Sequence, residues 1–197
     1  MGVEVTRRRD PQSGPRAAML RSAVALMRRQ GVAATSFADV LADSGAPRGS
    51  IYHHFPAGKA QLIEEATRTA AAQLTERVAR VLDEAADLPT ALRELVGVWR
   101  DGLEAGDYAV GCPIVAAALG TERAARDVAG VAFADLTGLI SDKLVSDGMA
   151  RRRANSVAVL ILTAMEGALV LAQARRDPAA LDAVVDELTL LCSGSAD

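Results

Sequence analysis

Residues 37–59 read FADVLADSGAPRGSIYHHFPAGK and hold two short apolar repeats with a glycine between them. The first repeat has the i, i+3, i+4 spacing of one helical face: Phe37, Val40 and Leu41. Ser36 precedes this helix and Asp39 follows three residues later, so the two are expected to cap its first turn. Gly45 is expected to end the helix in a turn with positive φ.

A second helix is predicted from about Arg48 to Phe55, ending before Gly58. Pro47 is expected to open it, because the N–H that proline lacks is not needed in a first helical turn. Ile51 and Phe55 lie four residues apart and are expected to face inward. Two short helices joined by a turn of three or four residues that contains glycine are typical of the helix-turn-helix motif.

The outer faces of the second helix carry hydrogen-bond donors, an aromatic ring and a residue without a side chain: Arg48, Gly49, Ser50, Tyr52 and His53. In helix-turn-helix proteins the start of this helix meets base edges, while flanking donors hold phosphates. Lys59 stands near the start of the next helix, where a cation and free N–H groups bind phosphate. The alternative is an ordinary surface hairpin of two helices, which a glycine turn by itself would equally suggest.

The motif resembles the DNA-binding domain of the TetR family of bacterial repressors over residues 16–63. The matching features are the Thr35-Ser36 pair, Gly45 in the turn, and the run 49–55 followed by Lys59. The resemblance implies that one set of residues mainly contacts phosphates: Thr35, Ser36, Tyr52, His53 and Lys59. It implies that a second set approaches the bases: Arg48, Gly49 and Ser50.

The composition predicts an all-α fold of about nine helices. Half of the 197 residues are hydrophobic but only 3% are aromatic, and proline is sparse. No apolar leader follows the first residues, and the longest apolar tract, 157–172, is short for a membrane span and contains Glu166. Two cysteines do not suggest a disulfide scaffold and fit a reducing cytoplasm. We expect no cofactor, no metal and no membrane partner.

Charge is distributed unevenly along the chain. Residues 1–60 carry nine arginines or lysines and four acids, a net charge of +5, which leaves −8 for the rest of a chain whose total is −3. A basic end that contains the motif, joined to an acidic body, indicates that one end meets a polyanion such as double-stranded DNA.

Periodicity and helix-breaking residues divide the chain into three regions. Residues 1–15 are predicted to be a disordered basic arm, either a solvated tail or a source of phosphate and minor-groove contacts. Residues 16–60 are predicted to form a three-helix DNA-binding head, and 61–197 a body for ligand binding and dimerisation. Besides the two motif helices, helices are expected near 16–30, 58–86, 89–106, 113–120, 121–147, 150–176 and 178–192. Gly31 is expected to close the first, and Thr121 to cap the seventh.

Residues 111–120 resemble the C-terminal domain of the LmrA/YxaF-like subgroup, in which a Gly-Cys-Pro-Ile run opens a short helix. A small apolar effector is expected in the body, with these wall residues: Trp99, Leu103, Cys112, Ile114, Phe133, Leu136, Leu162, Met165 and Glu166. Trp99 fits a core position equally well. Cys112 is either a packed small residue or a redox-active thiolate at a helix N-terminus. Glu166 is expected either to pair inside the body or to face the ligand.

The eighth predicted helix is apolar on nearly every face at its centre, and one chain of this size covers only part of it. We therefore expect helices 8 and 9 to pair with their two-fold mates in a homodimer. The leading hypothesis is a ligand-responsive repressor that binds a palindromic operator and is released by its effector. An enzyme is disfavoured, because the chain has two histidines, adjacent in sequence, and no glycine-rich phosphate loop. A helical interaction or sensor module with a redox-active Cys112 remains the alternative.

Overall fold

A computed structural model describes residues 14–193, and that part of the chain consists of helices without a strand. The helices are α1 (Pro15–Ala34), α2 (Phe37–Ser44), α3 (Ser50–His54), α4 (Lys59–Glu84), α5 (Leu88–Ala105), α6 (Pro113–Ala118), α7 (Arg123–Ser146), α8 (Arg151–Arg175) and α9 (Ala179–Ser193). The predicted all-α fold is confirmed. Most of the predicted basic arm lies outside the described residues, although Pro15, assigned to that arm, is the first residue of α1.

The predicted cap at the start of α2 and the predicted turn at its end are confirmed. The Ser36 hydroxyl oxygen accepts from the Asp39 N–H at 3.1 Å, and the Ser36 N–H donates to the Asp39 carboxylate at 3.3 Å, which completes a reciprocal cap. Gly45 ends the helix at φ 66°, in the left-handed region that glycine enters without steric cost. These contacts fix where the chain turns toward α3.

Gly31 breaks the first helix as predicted, with φ 75° and ψ 174°, and a short helical segment then continues to Ala34. Two other predicted helix ends were wrong. Pro47 does not open α3: a turn closed by the Ser50 N–H on the Pro47 carbonyl, at 2.9 Å, comes first and holds Arg48 and Gly49 outside the helix. Thr121 does not cap α7, which begins after Glu122 without a side-chain cap.

Two clusters of buried apolar side chains form the core. The head cluster is built on α1 to α3 and the first half of α4, and it is completed by Ile114 and Ala117 of α6 and by the start of α7. The body cluster is built from the rest of α4 with α5, α7, α8 and α9. Leu74, Cys112 and Phe133 pack against both clusters. The apolar core is therefore continuous from head to body. The predicted domain boundary at residue 60 falls within the head cluster, because Leu62 and Ile63 belong to that cluster.

Helix α4 is the longest connection between the two clusters. Its 26 residues span about 39 Å at the usual rise of an α-helix. Its first half buries Leu62, Ile63 and Ala66 in the head, and its second half buries Val78 and Val81 in the body. A single continuous helix therefore joins the two clusters.

Helix α8 is long and apolar enough to cross a membrane by length and composition, although its centre was expected to be too short. Such a helix is equally typical of a core, and α8 packs between α7 and α9. Ala158, Ile161 and Ala168 are almost fully buried there. Its opposite face remains apolar and exposed, which matters for assembly.

Candidate nucleic-acid interface and effector cavity

Helix α3 is held by its apolar face and presents its polar face to solvent. Ile51 and Phe55 are fully buried, whereas Tyr52 is 68% exposed. The Tyr52 ring lies edge-on to Phe37 of α2, with ring centroids 5.6 Å apart. Arg16 of α1 lies over the Phe55 ring, 5.4 Å from its centroid. The five-residue helix is thus fixed in orientation by contacts with α1 and α2.

The residues predicted to bind DNA fall into three groups by accessibility. Four are exposed on the turn and on α3: Arg48, Gly49, Tyr52 and His53. Three are half-buried and already bonded within the head: Ser36, Ser50 and Lys59. The Ser50 hydroxyl donates to the Pro47 carbonyl at 2.6 Å and so supports the turn that carries Arg48. The four exposed residues form the surface that DNA could contact directly.

Thr35 is not placed for the phosphate contact that the resemblance implied. Its residue surface is 1% exposed, and its hydroxyl donates to the Gly31 carbonyl at 2.8 Å. That bond satisfies a carbonyl at the irregular end of α1, where the helical pattern is broken. Thr35 therefore stabilises the junction between α1 and α2, and a phosphate contact through its side chain is inconsistent with this burial.

A cavity of about 360 Å³ lies where α1 of the head meets α4, α5 and the segment before α6. We call it the head–body cavity. Apolar side chains form most of its wall: Val24, Ala70, Leu74, Val98, Trp99, Leu103, Val110 and Leu169. Trp99, Leu103 and Cys112 were predicted to line an effector site, and all three do line this cavity. Its position between head and body makes it a candidate effector site.

Sequence reasoning missed the polar residues of the head–body cavity. Arg28 comes from α1, and Gln73 and Arg77 come from α4. Each stands on the outer face of its own helix, where arginine and glutamine are normally solvated, so no local pattern distinguished them. Only the packing of α1 beside α4 brings them to one cavity.

A second, smaller cavity of about 40 Å³ lies deeper in the body and shares Leu74 and Trp99 with the first. Its wall includes four further predicted ligand residues: Leu136, Leu162, Met165 and Glu166. Trp99 thus lies at the boundary of both cavities. Two predicted wall residues line neither: Ile114 is fully buried in the head cluster, and Phe133 packs between the clusters.

Glu166 and Cys112 meet at the junction of the two clusters. Burial raises the pKa of the Glu166 carboxyl, and a hydrogen bond with the Cys112 side chain opposes that shift. Burial likewise raises the pKa of the Cys112 thiol to about 12, with a further contribution from the nearby Glu166 charge. A thiol with a raised pKa is protonated near neutral pH, which favours the packed small residue over the redox-active thiolate among the two alternatives for Cys112.

No cluster of three or more His, Cys, Asp or Glu suited to a metal ion occurs within residues 14–193. His53 and His54 are adjacent on α3, with ring centroids 5.2 Å apart. His53 is exposed and His54 is half-buried, so the two belong to the surface of the head.

Two family profiles match the chain. Residues 19–66 match the profile described as bacterial regulatory proteins, tetR family, and residues 89–187 match the C-terminal domain of LmrA/YxaF-like transcriptional regulators. An uncharacterized HTH-type transcriptional regulator of Mycobacterium tuberculosis is 39% identical over 183 residues, which cover 89% of this chain and 92% of the relative. The Bacillus subtilis HTH-type transcriptional regulator LmrA is 24% identical, covering 78% of this chain and 83% of its own length.

Solved structures share the fold. A TetR transcriptional regulator from Chloroflexus aurantiacus is 26% identical with a TM-score of 0.76, and the match covers 92% of this chain and 95% of that one. A regulatory protein TetR from Rhodobacter sphaeroides aligns with a TM-score of 0.81 at 15% identity, covering 90% and 98% of the two chains.

Proposed function

The chain belongs to the TetR family of bacterial transcriptional regulators, and from that premise we propose that it is a cytoplasmic repressor whose operator binding is switched by a small molecule. Members of this family are DNA-binding regulators and not enzymes. Two features of the molecule support the finer proposal. They are the exposed polar face of α3 and the cavity shared by head and body.

We propose that α3 enters the major groove of a palindromic operator. In this arrangement Arg48 and Gly49, at the turn before α3, approach the bases. Ser50 supports that turn, while Tyr52 and His53 on the exposed face contact the phosphate backbone. Ser36 and Lys59 flank the helix and supply further backbone contacts.

We propose a homodimer formed through α8 and α9. Five exposed apolar side chains lie on these helices, each between 48% and 67% exposed: Val159, Leu160, Val170, Leu171 and Leu190. Gly167 lies on the same outer face of α8 and would let a partner helix approach closely. Pairing of α8 and α9 with their two-fold mates would remove this apolar surface from water.

The observation that carries the switch is the placement of the head–body cavity against α1. Arg28 of α1 is tied to Gly111 twice: the Gly111 N–H donates to the Arg28 carbonyl at 2.8 Å, and the Arg28 Nε–H donates to the Gly111 carbonyl at 3.1 Å. An effector in this cavity touches α1, α4 and the segment before α6 together. Its binding would favour a dimer in which the two heads no longer match the operator spacing.

The proposal is tested by selecting binding sites for the full-length chain from a pool of randomised duplexes. We expect an inverted repeat whose half-sites are about 34 Å apart, or a multiple of that distance. A reporter gene placed behind the selected site should be repressed when the protein is expressed. Recovery of a single, asymmetric half-site would contradict a dimer on a palindrome, and activation of the reporter would contradict repression.

A further inference from the structure

Two arginines from different helices stand at the head–body cavity without an acidic partner. Arg28 and Arg77 both line it, and neither makes an ion pair within residues 14–193. Their charges interact: burial lowers the pKa of the Arg28 guanidinium, and the positive charge of Arg77 lowers it further. Both residues are exposed, so water screens much of this repulsion, and a bound anion would offset the remainder.

The walls below the arginines have the opposite character. Leu74, Leu103 and Leu169 give the cavity an apolar wall, and Trp99 adds a flat aromatic surface. Gln73, four residues before Arg77 on α4, adds an amide to the wall. A cavity whose wall is mostly apolar but includes two arginines fits a molecule with an apolar body and one anionic group.

We infer that the head–body cavity binds an organic carboxylate, with its anionic group at Arg28 and Arg77 and its apolar body against Trp99 and Leu103. The inference rests on the proposed function, because it takes this cavity to be the effector site, and it names the chemical class of the effector. A guanidinium and a carboxylate match in geometry and form paired hydrogen bonds. A neutral apolar molecule would leave both arginine charges uncompensated, and a cation would be repelled.

The overall charge of the protein does not account for a preference for carboxylates. The chain carries a net charge of −3, and its acidic excess lies in the body, so anions are not drawn to the body as a whole. Glu166 does not line the head–body cavity, although it lines the deeper cavity and a pocket of about 170 Å³ that shares Arg28 and Cys112 with the head–body cavity. Selectivity for a carboxylate would therefore come from Arg28 and Arg77 specifically.

Arg28 also links the proposed ligand to the head. Arg28 holds the Gly111 carbonyl through Nε, and its terminal nitrogens remain for a carboxylate. A ligand that draws the guanidinium toward Arg77 competes with the tie to Gly111. Loosening that tie would free α1 from the segment before α6, where head and body are joined.

The test measures binding to the full-length chain by isothermal titration calorimetry. The probes are octanoate, decanoate and 2-naphthoate, each compared with the alcohol and the amine of the same skeleton. We expect at least one carboxylate to bind about tenfold or more tightly than its alcohol, the range expected of charge-assisted hydrogen bonds, and the amines to bind most weakly. Arg77→Met should abolish the preference for the acid while the alcohol binds as before. Arg80→Met, on the same helix but away from the cavity, should retain the preference.

Three results would overturn the inference: no binding by any carboxylate, equal binding of acid and alcohol, or an acid preference that survives in Arg77→Met. A parallel titration of the selected DNA site separates this inference from the proposed function. A carboxylate that binds through Arg77 but leaves DNA affinity unchanged would refute the proposed switch and leave the ligand class standing. Release of DNA by a neutral alcohol that binds as tightly as its acid would support the switch and refute the ligand class.

Discussion

The Lys59 ammonium donates a hydrogen bond to the Ala33 carbonyl, with 3.0 Å between Nζ and the oxygen. Ala33 lies in the last turn of α1, and Lys59 is the first residue of α4. Carbonyls in the last turn of a helix lack intrahelical partners, and a cation there also interacts favourably with the helix dipole. Lys59 thus joins two helices of the head, and its proposed phosphate contact would use the remaining N–H groups.

Lys59→Met should affect both stability and DNA binding, because the ammonium has two roles. The loss of the bond to Ala33 is expected to lower the free energy of unfolding by about 1 kcal/mol. The loss of one phosphate contact should reduce the slope of log K against log salt concentration by about 1. Thermal unfolding and fluorescence anisotropy at several salt concentrations measure the two effects, with Arg80→Met as the control. A stability loss with an unchanged salt slope would restrict Lys59 to its structural role.

Two substitutions of Tyr52 separate the contribution of its hydroxyl group from that of its ring. Tyr52→Phe retains the edge-on contact with Phe37 and should leave stability unchanged, while DNA affinity falls about tenfold if the hydroxyl bonds a phosphate. Tyr52→Ala removes the ring as well and should add a stability loss. An anisotropy titration of both variants on one duplex distinguishes them. Wild-type affinity in Tyr52→Phe would rule out the hydroxyl as a phosphate ligand.

Leu160 tests the proposed dimer interface. It is 50% exposed on the outer face of α8, so Leu160→Asp does not place a charge in the core of the protomer. We expect the variant to be a folded monomer in analytical ultracentrifugation, because a dimer would have to bury the new carboxylate. Val131→Asp on α7 is the matched control, since Val131 is 63% exposed on another helix. A Leu160→Asp dimer as stable as the control would place the interface elsewhere.

Cys112 should react slowly with thiol reagents. A pKa of about 12, against an ordinary value near 9, lowers the thiolate fraction near neutral pH by about a thousandfold. The measurement uses Cys192→Ser, so that only Cys112 is counted, and follows labelling with a disulfide reagent at pH 8. Unfolding in urea should restore rapid labelling of the same thiol. Fast labelling of the native variant would revive the redox hypothesis.

Short-range features of the fold were predictable because their causes are local. The cap between Ser36 and Asp39 depends on residues three apart, and the left-handed turn at Gly45 depends on a single residue. The start of α3 was missed for the opposite reason. Proline at the first position of a helix and proline in a preceding turn share the same φ, and only the bond from Ser50 to Pro47 distinguishes them.

Long-range features were not readable in the same way. The Thr35 hydroxyl donates to the Gly31 carbonyl at the break in α1. A family motif does not show which hydroxyl forms such an internal hydrogen bond. Ile114 was expected in the ligand wall because it is apolar and near Cys112. A helix of six residues has too few turns for periodicity to show which side it buries, and α6 places Ile114 in the head cluster.

Gly58 sets the entry of the chain into α4, and its substitution gives the last prediction. Its φ of 82° and ψ of −158° fall in a region that only glycine occupies readily. Gly58→Ala should therefore lower the free energy of unfolding by about 1–3 kcal/mol, although nothing would crowd the added methyl group. Gly130→Ala is the matched control. Its site is helical, exposed and equally uncrowded, so the same substitution should raise stability by about 0.5–1 kcal/mol.

Urea unfolding measures the free energy of unfolding of both variants. The protomer concentration is kept the same, because the stability of a dimer depends on concentration. Opposite signs would establish that conformation, and not space, makes glycine necessary at position 58. Gly58→Ala should also weaken DNA binding, because relaxation of the strained alanine would change the angle between α3 and α4. Equal stabilisation by both substitutions would show that the chain turns into α4 in a different conformation.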